Sequence, residues 1–450
     1  MRGPKTLAAC CIAVILAAPA TAVQAADLLQ AYRLAQQNDP TYAAARYDYE
    51  AAVERRPQAR GALLPQITFS ASRSEDDLRE LDTNESDRST NERYSLNLRQ
   101  TLFNWEQFAG LSRADAEVAR AEAELADADQ RLILRVAEAY FEVLAAEENE
   151  RFARAEVEAI ERQLEQARQR FDVGLIPVTD VKAAQASYDL AVSRRIEATN
   201  EIDDAREALR AITDRRTGML ARVRDDLPLT SADPHDANTW VARAVEQNPE
   251  YLAARAASEA NRQGVRQARA GHYPEVDLVA SRTRQEQDSD LFDSGGQQEQ
   301  SSRDSETDSI GIEVTIPLFR GGATASGTRE ARANFEAAQS RMVEARRAVE
   351  QRTRNAFRGL ESRISQVQSL RQAVDSNEAS VEAEEAGLEV GTRTTVDVLD
   401  ALRDLFAAER DYTNARFEYI LNRLRLQEAA GTLTVEDVRL VNSWLEAPSP

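Results

Sequence analysis

The sequence predicts an α+β protein built from two similar units, each with two β-strands and one long helical hairpin. Three observations lead to this prediction. Long segments without glycine or proline are rich in alanine, glutamate, arginine and leucine, which favour helices. Shorter segments alternate apolar and polar residues, the period of a strand with two unlike faces. Two turns of similar sequence occupy corresponding places in the chain.

The two turns are Val-Gly-Leu-Ile-Pro-Val-Thr-Asp-Val at 173–181 and Val-Gly-Thr-Arg-Thr-Thr-Val-Asp-Val at 390–398. In each, a glycine follows a helical segment, where it supplies the left-handed conformation that ends many helices. Thr179 or Thr395, with the aspartate after it, favours the start of the next helix. We therefore predict the tip of a helical hairpin at both places.

The segments that flank these tips are long. Residues 111–173 contain neither glycine nor proline, and an unbroken helix of this length extends roughly 95 Å at about 1.5 Å per residue. Residues 178–217 also lack both and are predicted to form the return helix. Nearer the start, residues 27–60 have a helical pattern that is interrupted before Pro40.

Four segments have the period of a strand. They span about 66–75, 94–103, 275–284 and 310–319. In the second of them, Tyr94, Leu96 and Leu98 alternate with polar residues, so that one face is apolar and the other polar. The acidic, polar segments 75–92 and 285–309 separate the paired strands and are predicted to be loops.

The chain also repeats its own plan. Pro40 and Pro65 in the first half have the same spacing as Pro249 and Pro274 in the second. Helix, strand, loop, strand, long helix, tip and return helix then follow in the same order in both halves, which indicates a tandem duplication. We assign the two repeats of one protomer to residues 26–230 and 231–450.

Composition argues against several functions. The net charge of −21 disfavours binding to nucleic acid, whose phosphates require a basic surface. The acidity keeps long exposed helices soluble, and it would also attract cations into an enclosed space. The sequence has no glycine-rich phosphate loop, metal-ligand cluster or nucleophile motif, so we predict neither an enzyme nor a bound cofactor.

Residues 1–25 are predicted to be a secretory signal peptide. Basic residues precede an apolar run, and small residues precede a cut after Ala25. Cys10 and Cys11 are the only cysteines and would leave with this segment, so no disulfide is expected. No later apolar run approaches the ~20 residues of a membrane-spanning helix, so strands must make any membrane crossing.

Strands of about ten residues with one apolar face match those that cross an outer membrane as a tilted barrel. Four strands cannot close a barrel, because the smallest membrane barrels have about eight. An open sheet edge in lipid leaves backbone groups without hydrogen bonds, so the barrel must be shared between copies. Without further information, a soluble sheet on a coiled coil, acting as a periplasmic scaffold or envelope tether without a pore, is the alternative.

The chain resembles the TolC family of outer-membrane channels over nearly its whole length after residue 25. The motifs that carry this resemblance are Leu-Leu-Pro-Gln at 63–66, Gln-Arg-Phe-Asp-Val-Gly-Leu at 169–175, Thr-Asp-Val at 179–181, Val-Gly-Thr-Arg-Thr at 390–394, Val-Asp-Val-Leu-Asp-Ala at 396–401 and Ala-Gly-Thr-Leu at 430–433. The resemblance implies a homotrimer. Its twelve-stranded β-barrel in outer-membrane lipid would continue into a long α-helical barrel of coiled hairpins in the periplasm.

The resemblance also implies a function and partners. Such proteins are passive exit ducts that dock with a periplasmic adaptor, or membrane fusion protein, and with an inner-membrane pump of the RND or ABC type. They export toxic small molecules in efflux and polypeptides in type I secretion. The tunnel entrance is closed at rest and opens when its inner hairpins move outward.

The same resemblance implies roles for individual residues. Asp397 and Asp400 match the carboxylates that ring the narrow periplasmic entrance, although helix chemistry alone makes Asp397 a favourable charge at a helix start. The positions that match the gate are Gln169, Thr179, Asp180, Leu388 and Arg393. The positions that match the adaptor-contacting tips are Gly174, Leu175, Gly391 and Thr392.

Two positions depart from the expected pattern. Leu388 stands where the best-known family pattern has a tyrosine, and leucine has no hydroxyl to donate a hydrogen bond. We therefore expect a closed state that depends more on Arg393 and on packing. Asp214 stands where the second repeat has Gly431, so we expect a less favourable cap at the end of the first return helix.

Overall fold

The computed structural model describes residues 27–79, 86–292 and 298–446. The predicted signal peptide, residues 1–25, lies outside the described residues. None of the helices in the described segments combines the length and apolar character that a bilayer crossing requires.

Ten helices and six strands make up the described part of the chain. In order they are α1 (Leu28–Asn38), α2 (Pro40–Val53), α3 (Arg55–Gly61), β1 (Gln66–Arg79), β2 (Ser86–Phe103), α4 (Trp105–Asp172), α5 (Val178–Thr213), β3 (Arg222–Val223), α6 (Ala237–Gln247), α7 (Pro249–Ala270), β4 (Glu275–Phe292), β5 (Gln298–Thr315), α8 (Ala323–Glu389), α9 (Thr395–Ala430), α10 (Val435–Asn442) and β6 (Leu445–Glu446).

One antiparallel sheet contains the four long strands in the order β1-β2-β4-β5. The strands are longer than predicted, and most of segments 75–92 and 285–309 belongs to strands rather than loops. The prediction followed apolar alternation, which disappears where both faces are polar, but backbone pairing continues there. β5 ends at Thr315, short of the predicted 319, and Pro317 just beyond it has no N–H to donate.

The long helices are unbroken. Helices α4 and α8 have 68 and 67 residues, and the return helices α5 and α9 have 36 each. At about 1.5 Å per residue, α4 alone extends roughly 100 Å. Asn104 starts α4 by accepting hydrogen bonds from the N–H groups of Glu106 and Gln107 at 2.9 and 3.2 Å. The sheet and the hairpin tips therefore lie at opposite ends of the long helices.

The main hydrophobic core surrounds the middle of the long helices. It joins α4 and α9 to the short helices α1 and α10, and its largest fully buried members include Leu28, Tyr140, Phe141, Tyr419 and Ile420. The hydroxyl of Tyr140 donates to the carbonyl of Ala221 at 2.9 Å, so the buried polar group has a partner. This core fixes the two hairpins to each other well above their tips.

The short helices of the two halves start in the same way. Pro40 begins α2 and Pro249 begins α7, and the preceding residue caps each helix. The carboxylate of Asp39 accepts the N–H of Tyr42 at 2.6 Å, and the amide oxygen of Asn248 accepts the N–H of Tyr251 at 3.2 Å. The predicted interruption before Pro40 is confirmed.

Candidate functional site

The first hairpin tip, between α4 and α5, closes with two backbone hydrogen bonds. The N–H of Leu175 donates to the carbonyl of Arg170 at 2.9 Å, and that of Gly174 donates to Phe171 at 2.8 Å. Gly174 has a φ of 78°, which confirms the predicted left-handed cap. Leu175 is 73% exposed, so the tip presents an apolar side chain to its surroundings.

The second tip, between α8 and α9, has the same geometry. The N–H of Thr392 donates to the carbonyl of Gly387 at 2.9 Å, and that of Gly391 donates to Leu388 at 3.3 Å. Gly391 has a φ of 79°, which again confirms the predicted cap. The two closing bonds of the first tip are therefore repeated in the second, where the N–H of Arg393 also donates to the carbonyl of Gly387 at 3.2 Å.

The return helices start where the sequence predicts, at Val178 and Thr395, but they are capped differently from each other. Pro177 precedes α5 and makes no side-chain cap, while Thr394 caps α9 and Thr395 is buried within the helix. The Asp397 carboxylate accepts hydrogen bonds from the N–H and the hydroxyl of Thr394, both at 2.8 Å. Thr179 lies inside the first turn of α5. Thr179 and Thr395 thus lie at the helix starts, as predicted, but neither makes the capping bond, which needs a residue just before the helix.

The capping bonds act on the acidity of Asp397. Hydrogen bonds from the backbone and then the side chain of Thr394 hold the pKa of Asp397 below its ordinary value. A depressed folded-state pKa means that this contribution to stability is present above the unfolded-state pKa and is lost as the pH falls through the folded-state pKa.

We therefore expect Asp397→Ala to lower the thermal unfolding midpoint at neutral pH and to have progressively less effect in acid. The comparison is between wild-type protein and the variant over a range of pH in detergent. Thr394→Ala removes only the hydroxyl bond and leaves the backbone N–H bond to Asp397, so it should show a pH dependence of the same direction but smaller size. A difference that stays constant down to strongly acidic pH would contradict this account of the cap.

Asp400 lies one turn further along α9, on the same side as Asp397. Its carboxylate oxygen is 3.1 Å from Nη1 of Arg403, and Nε of the same arginine is 3.7 Å from Asp404. The side chains of Asp400 and Arg403 are about half exposed. The two carboxylates thus lie on one side of α9, and the structure adds a neighbouring cation, Arg403, that sequence analysis missed.

Three of the predicted gate positions make contacts within their own hairpin. The amide of Gln169 donates to the carboxylate of Glu165, one turn earlier, at 3.2 Å. The hydroxyl of Thr179 donates to the carboxylate of Asp180 at 3.2 Å. These contacts stiffen the first tip, and the gate role of the three residues stays a prediction.

Leu388 and Arg393 lie on the second hairpin. Leu388 is only 7% exposed and belongs to a cluster with Ala159, Val381, Val398, Leu402 and Phe406. Nε of Arg393 is 3.2 Å from the carboxylate of Glu384. Gly387 makes room for this arginine, because a Cβ there would lie 2.5 Å from its Cγ. Leu388 therefore acts through packing, and Arg393 is held against α8.

Three residues of α4, spaced seven apart, reach the second hairpin, and the sequence prediction missed all of them. Their contacts are Glu156 with Arg410 at 3.6 Å, the amide of Gln163 donating to Glu385 at 3.3 Å, and Arg170 donating to the carbonyl of Leu388 at 3.2 Å. A spacing of seven residues places them on the same face of α4. Charged residues are so frequent in these helices that this spacing alone could not distinguish them.

Apolar residues also interlock the two hairpins near the tips. Leu399 of α9 packs in a cluster of the first hairpin that includes Val157, Ile160 and Leu164. Conversely, Ala159 of α4 packs in the cluster around Leu388. Separation of the hairpins would expose both clusters to water.

At the other end of the molecule, the sheet has an apolar face that is open. The side chains of Ile67, Phe69, Ile310, Ile312 and Val314 on this face are each more than half exposed. Apolar residues face one another across neighbouring strands, for example Phe69 with Leu96 and Ile312 with Leu278. A continuous exposed face of this kind contacts membrane or another protein in the working molecule.

The family model described as outer membrane efflux protein matches residues 31–214 and 240–432. The chain belongs to this family. It is 34% identical to the outer membrane protein TolC of Salmonella enteritidis over 99% of this chain and 90% of that protein. It is 35% identical to TolC of Vibrio cholerae over 97% of each chain. It is also 30% identical to the alkaline protease secretion protein AprF of Pseudomonas aeruginosa, over 93% of this chain and 87% of that protein.

Solved structures of outer-membrane channels have the same fold as this outer membrane efflux protein. VceC of Vibrio cholerae gives a TM-score of 0.75 at 22% identity and covers 90% of this chain and 96% of its own. OprN gives a TM-score of 0.76 at 20% identity and covers 90% of both chains. The protein is therefore an outer-membrane exit duct, and its family is a channel family rather than an enzyme family.

Proposed function

We propose that three copies of the chain assemble into one pore, with a twelve-stranded β-barrel in outer-membrane lipid and a helical tunnel below it. The exposed apolar face of the four-stranded sheet supports this proposal most directly. The order β1-β2-β4-β5 leaves β1 and β5 at the edges, where backbone groups need partners in lipid. Copies related by three-fold symmetry provide those partners, since β5 of one can pair with β1 of the next.

The cargo we propose covers both small toxic compounds and secreted polypeptides. TolC and the efflux protein BepC of Brucella suis are among the relatives, as are AprF and the protease secretion protein PrtF of Dickeya chrysanthemi. In this proposal a periplasmic adaptor and an inner-membrane RND or ABC pump deliver the cargo to the tunnel entrance. Deleting the gene should raise drug sensitivity, remove specific proteins from the medium, or do both.

The tips are the proposed contact points for the adaptor. Gly174, Leu175, Gly391 and Thr392 lie at the extreme ends of the hairpins, away from the sheet. Val173 and Val390 beside them are 70% and 76% exposed, which is unusual for valine and provides apolar area for a partner. The alternative of a scaffold without a pore predicts protein that washes from membranes at high salt, whereas the proposed duct requires detergent for extraction.

The entrance is the proposed gate. Three-fold symmetry would bring together six carboxylates from Asp397 and Asp400, which makes the constriction attractive to cations. Gln169, Thr179, Asp180, Leu388 and Arg393 surround it in this proposal. Since Leu388 is turned into the hairpin core, Arg393 is the one among these residues with a long charged side chain that can hold the tips closed.

We expect Arg393→Ala to increase the open probability of the purified channel in planar bilayers by roughly tenfold, because the ion pair that fixes the second tip is lost. Arg168→Ala is the matched control. It removes an arginine near the first tip that contacts Glu165 and Gln185 of its own hairpin. A current in Arg393→Ala equal to that of wild type would remove Arg393 from the gate.

A further inference from the structure

A buried carboxylate lies in the wall between the two hairpins, well above the tips. Glu156 of α4 has 0% of its surface exposed. It lies about 25 Å from the end of α4, at about 1.5 Å per residue. A buried charge at such a position is costly unless cations and hydrogen bonds compensate it.

The compensating cations come from two different hairpins. Nη2 of Arg194, on α5 of the same hairpin, donates to Oε1 of Glu156 at 2.8 Å. Nη1 of Arg410, on α9 of the second hairpin, lies 3.6 Å from Oε2. The two arginine side chains are 38% and 25% exposed. One carboxylate therefore binds its own hairpin with a hydrogen bond and the other hairpin with an ion pair.

This triad of Glu156, Arg194 and Arg410 borders the apolar contacts that hold the hairpins together. Val157 and Ile160, which follow Glu156 on α4, pack in the cluster that receives Leu399 of α9. Ala159 packs in the cluster of the second hairpin. Any outward movement of the second hairpin that separates these clusters must also lengthen the contact between Glu156 and Arg410.

We propose that Glu156, through Arg410, is a gating residue that holds the second hairpin against the first in the closed duct. This proposal rests on the proposed function, in which the hairpins separate to open the entrance. It adds a lock some distance above the predicted gate positions at the tips. In the closed state the Glu156 carboxylate has no access to water and is stabilised by the two arginines. When the hairpins separate, it loses the contact with Arg410 and gains contacts with water, and the difference between these two free energies sets how strongly the triad favours the closed state.

The geometry predicts an unequal response to removal of each partner. Glu156→Gln leaves the guanidinium groups of Arg194 and Arg410 facing each other across the hairpin boundary without an anion between them, so they repel. Arg410→Gln removes the attraction across the boundary but leaves Glu156 paired with Arg194. The first variant should therefore open the duct more than the second.

The double variant distinguishes a lock from a residue that merely supports the fold. In Glu156→Gln with Arg410→Gln, the repulsion across the boundary is gone, so the open probability should return to that of Arg410→Gln alone. General damage to α4 would not be repaired by a second substitution. Non-additivity of this kind measures the coupling between the two residues.

The test measures open probability in planar bilayers for wild type, both single variants, the double variant and a matched control. We expect about a tenfold rise for Glu156→Gln and a smaller rise for Arg410→Gln. Arg195→Gln is the control, because Arg195 is adjacent to Arg194 but pairs with Glu150 inside the first hairpin. An open probability in all variants equal to that of a conducting wild type would overturn the proposed gating role and leave the proposed duct intact. Wild-type protein that forms no pore would instead reject the duct.

A second measurement does not depend on pore formation. Spin labels on Leu175→Cys and Thr392→Cys, in a protomer diluted into unlabelled chain, report the separation of the two tips. Glu156→Gln should lengthen this distance and the added Arg410→Gln should shorten it again. An unchanged distance in well-folded Glu156→Gln protein would overturn the proposal whatever the current.

Discussion

Replacing Gly431 with alanine is expected to destabilise the fold by about 2–5 kcal/mol, the combined cost of a left-handed non-glycine residue and of overpacking. Gly431 ends α9 with a φ of 75°. A Cβ at this position would lie 2.4 Å from Cα of Asn248 and 2.6 Å from its N. These are backbone atoms of the α6–α7 junction, which cannot rotate away as a side chain would.

The local hydrogen bonds increase the expected effect. The N–H groups of Gly431 and Thr432 donate to the carbonyls of Glu428 and Gln427 at 2.9 and 2.8 Å, and the carbonyl of Gly431 accepts from the amide of Gln130 at 2.9 Å. A shift of this backbone to relieve the clash would break the bond to α4. The cap, the α6–α7 junction and the main core are therefore disturbed together.

A substitution at Gly174 separates the two causes of this loss of stability. Gly174 has a similar φ of 78°, but nothing lies within 4 Å of its Cβ position, so Gly174→Ala should cost only the conformational part, about 1–2 kcal/mol. Urea unfolding of detergent-solubilised protein measures the free energy of unfolding of Gly174→Ala and of Gly431→Ala relative to wild type. Equal losses at the two glycines would show that the close approach to Asn248 is relieved without cost.

The end of α5 offers a substitution with the opposite effect on stability. Asp214 ends α5 with a φ of 53°, and its N–H donates to the carbonyl of Arg210 at 2.7 Å. The sequence comparison with Gly431 predicted a less favourable cap here, and the positive φ of a residue with a side chain agrees with it. Asp214→Gly should therefore leave the fold intact and raise its unfolding midpoint, in contrast to Gly431→Ala.

The parts of the fold that local chemistry determines were predictable from the sequence. Glycine after a helix, as at Gly174 and Gly391, has few alternatives to a left-handed cap, and a long segment without glycine or proline has little reason to break. The strand lengths were underestimated because pairing through polar residues leaves no apolar period. The sequence could not identify Thr394 rather than Thr395 as the cap of α9. The two adjacent threonines are chemically equivalent, and only the backbone conformation distinguishes them.

The contacts between hairpins could not be predicted in the same way. Glu156, Gln163 and Arg170 are ordinary polar residues of a highly charged helix, and their partners lie more than two hundred residues away. What distinguishes Glu156 is its complete burial, which depends on how α5 and α9 pack against α4. A sequence indicates which residues carry charge, but the arrangement of helices decides which charges lose water and become energetically important.

The largest functional effect is expected at the tunnel entrance. Asp397→Asn combined with Asp400→Asn should weaken block of the channel by a trivalent cation roughly a hundredfold or more, because six carboxylates of the proposed trimer are neutralised at once. The cap made by Asp397 is weakened as well, but asparagine can still accept a hydrogen bond from Thr394. The measurement is the concentration of cation that halves the current.

Arg403 allows the sign of this effect to be reversed. Its guanidinium lies 3.1 Å from Asp400 and partly neutralises that carboxylate, so Arg403→Gln should strengthen cation block where the double aspartate variant weakens it. Asp189→Asn on α5, an exposed carboxylate that bonds to Gln185, removes the same charge away from the entrance and should leave the block unchanged. Opposite changes in the blocking concentration for the double aspartate variant and for Arg403→Gln, with no change for Asp189→Asn, would locate the bound cation at this turn of α9. If net charge alone determined the block, Asp189→Asn would change it as well. Equal block in all three variants would place the constriction elsewhere in the tunnel.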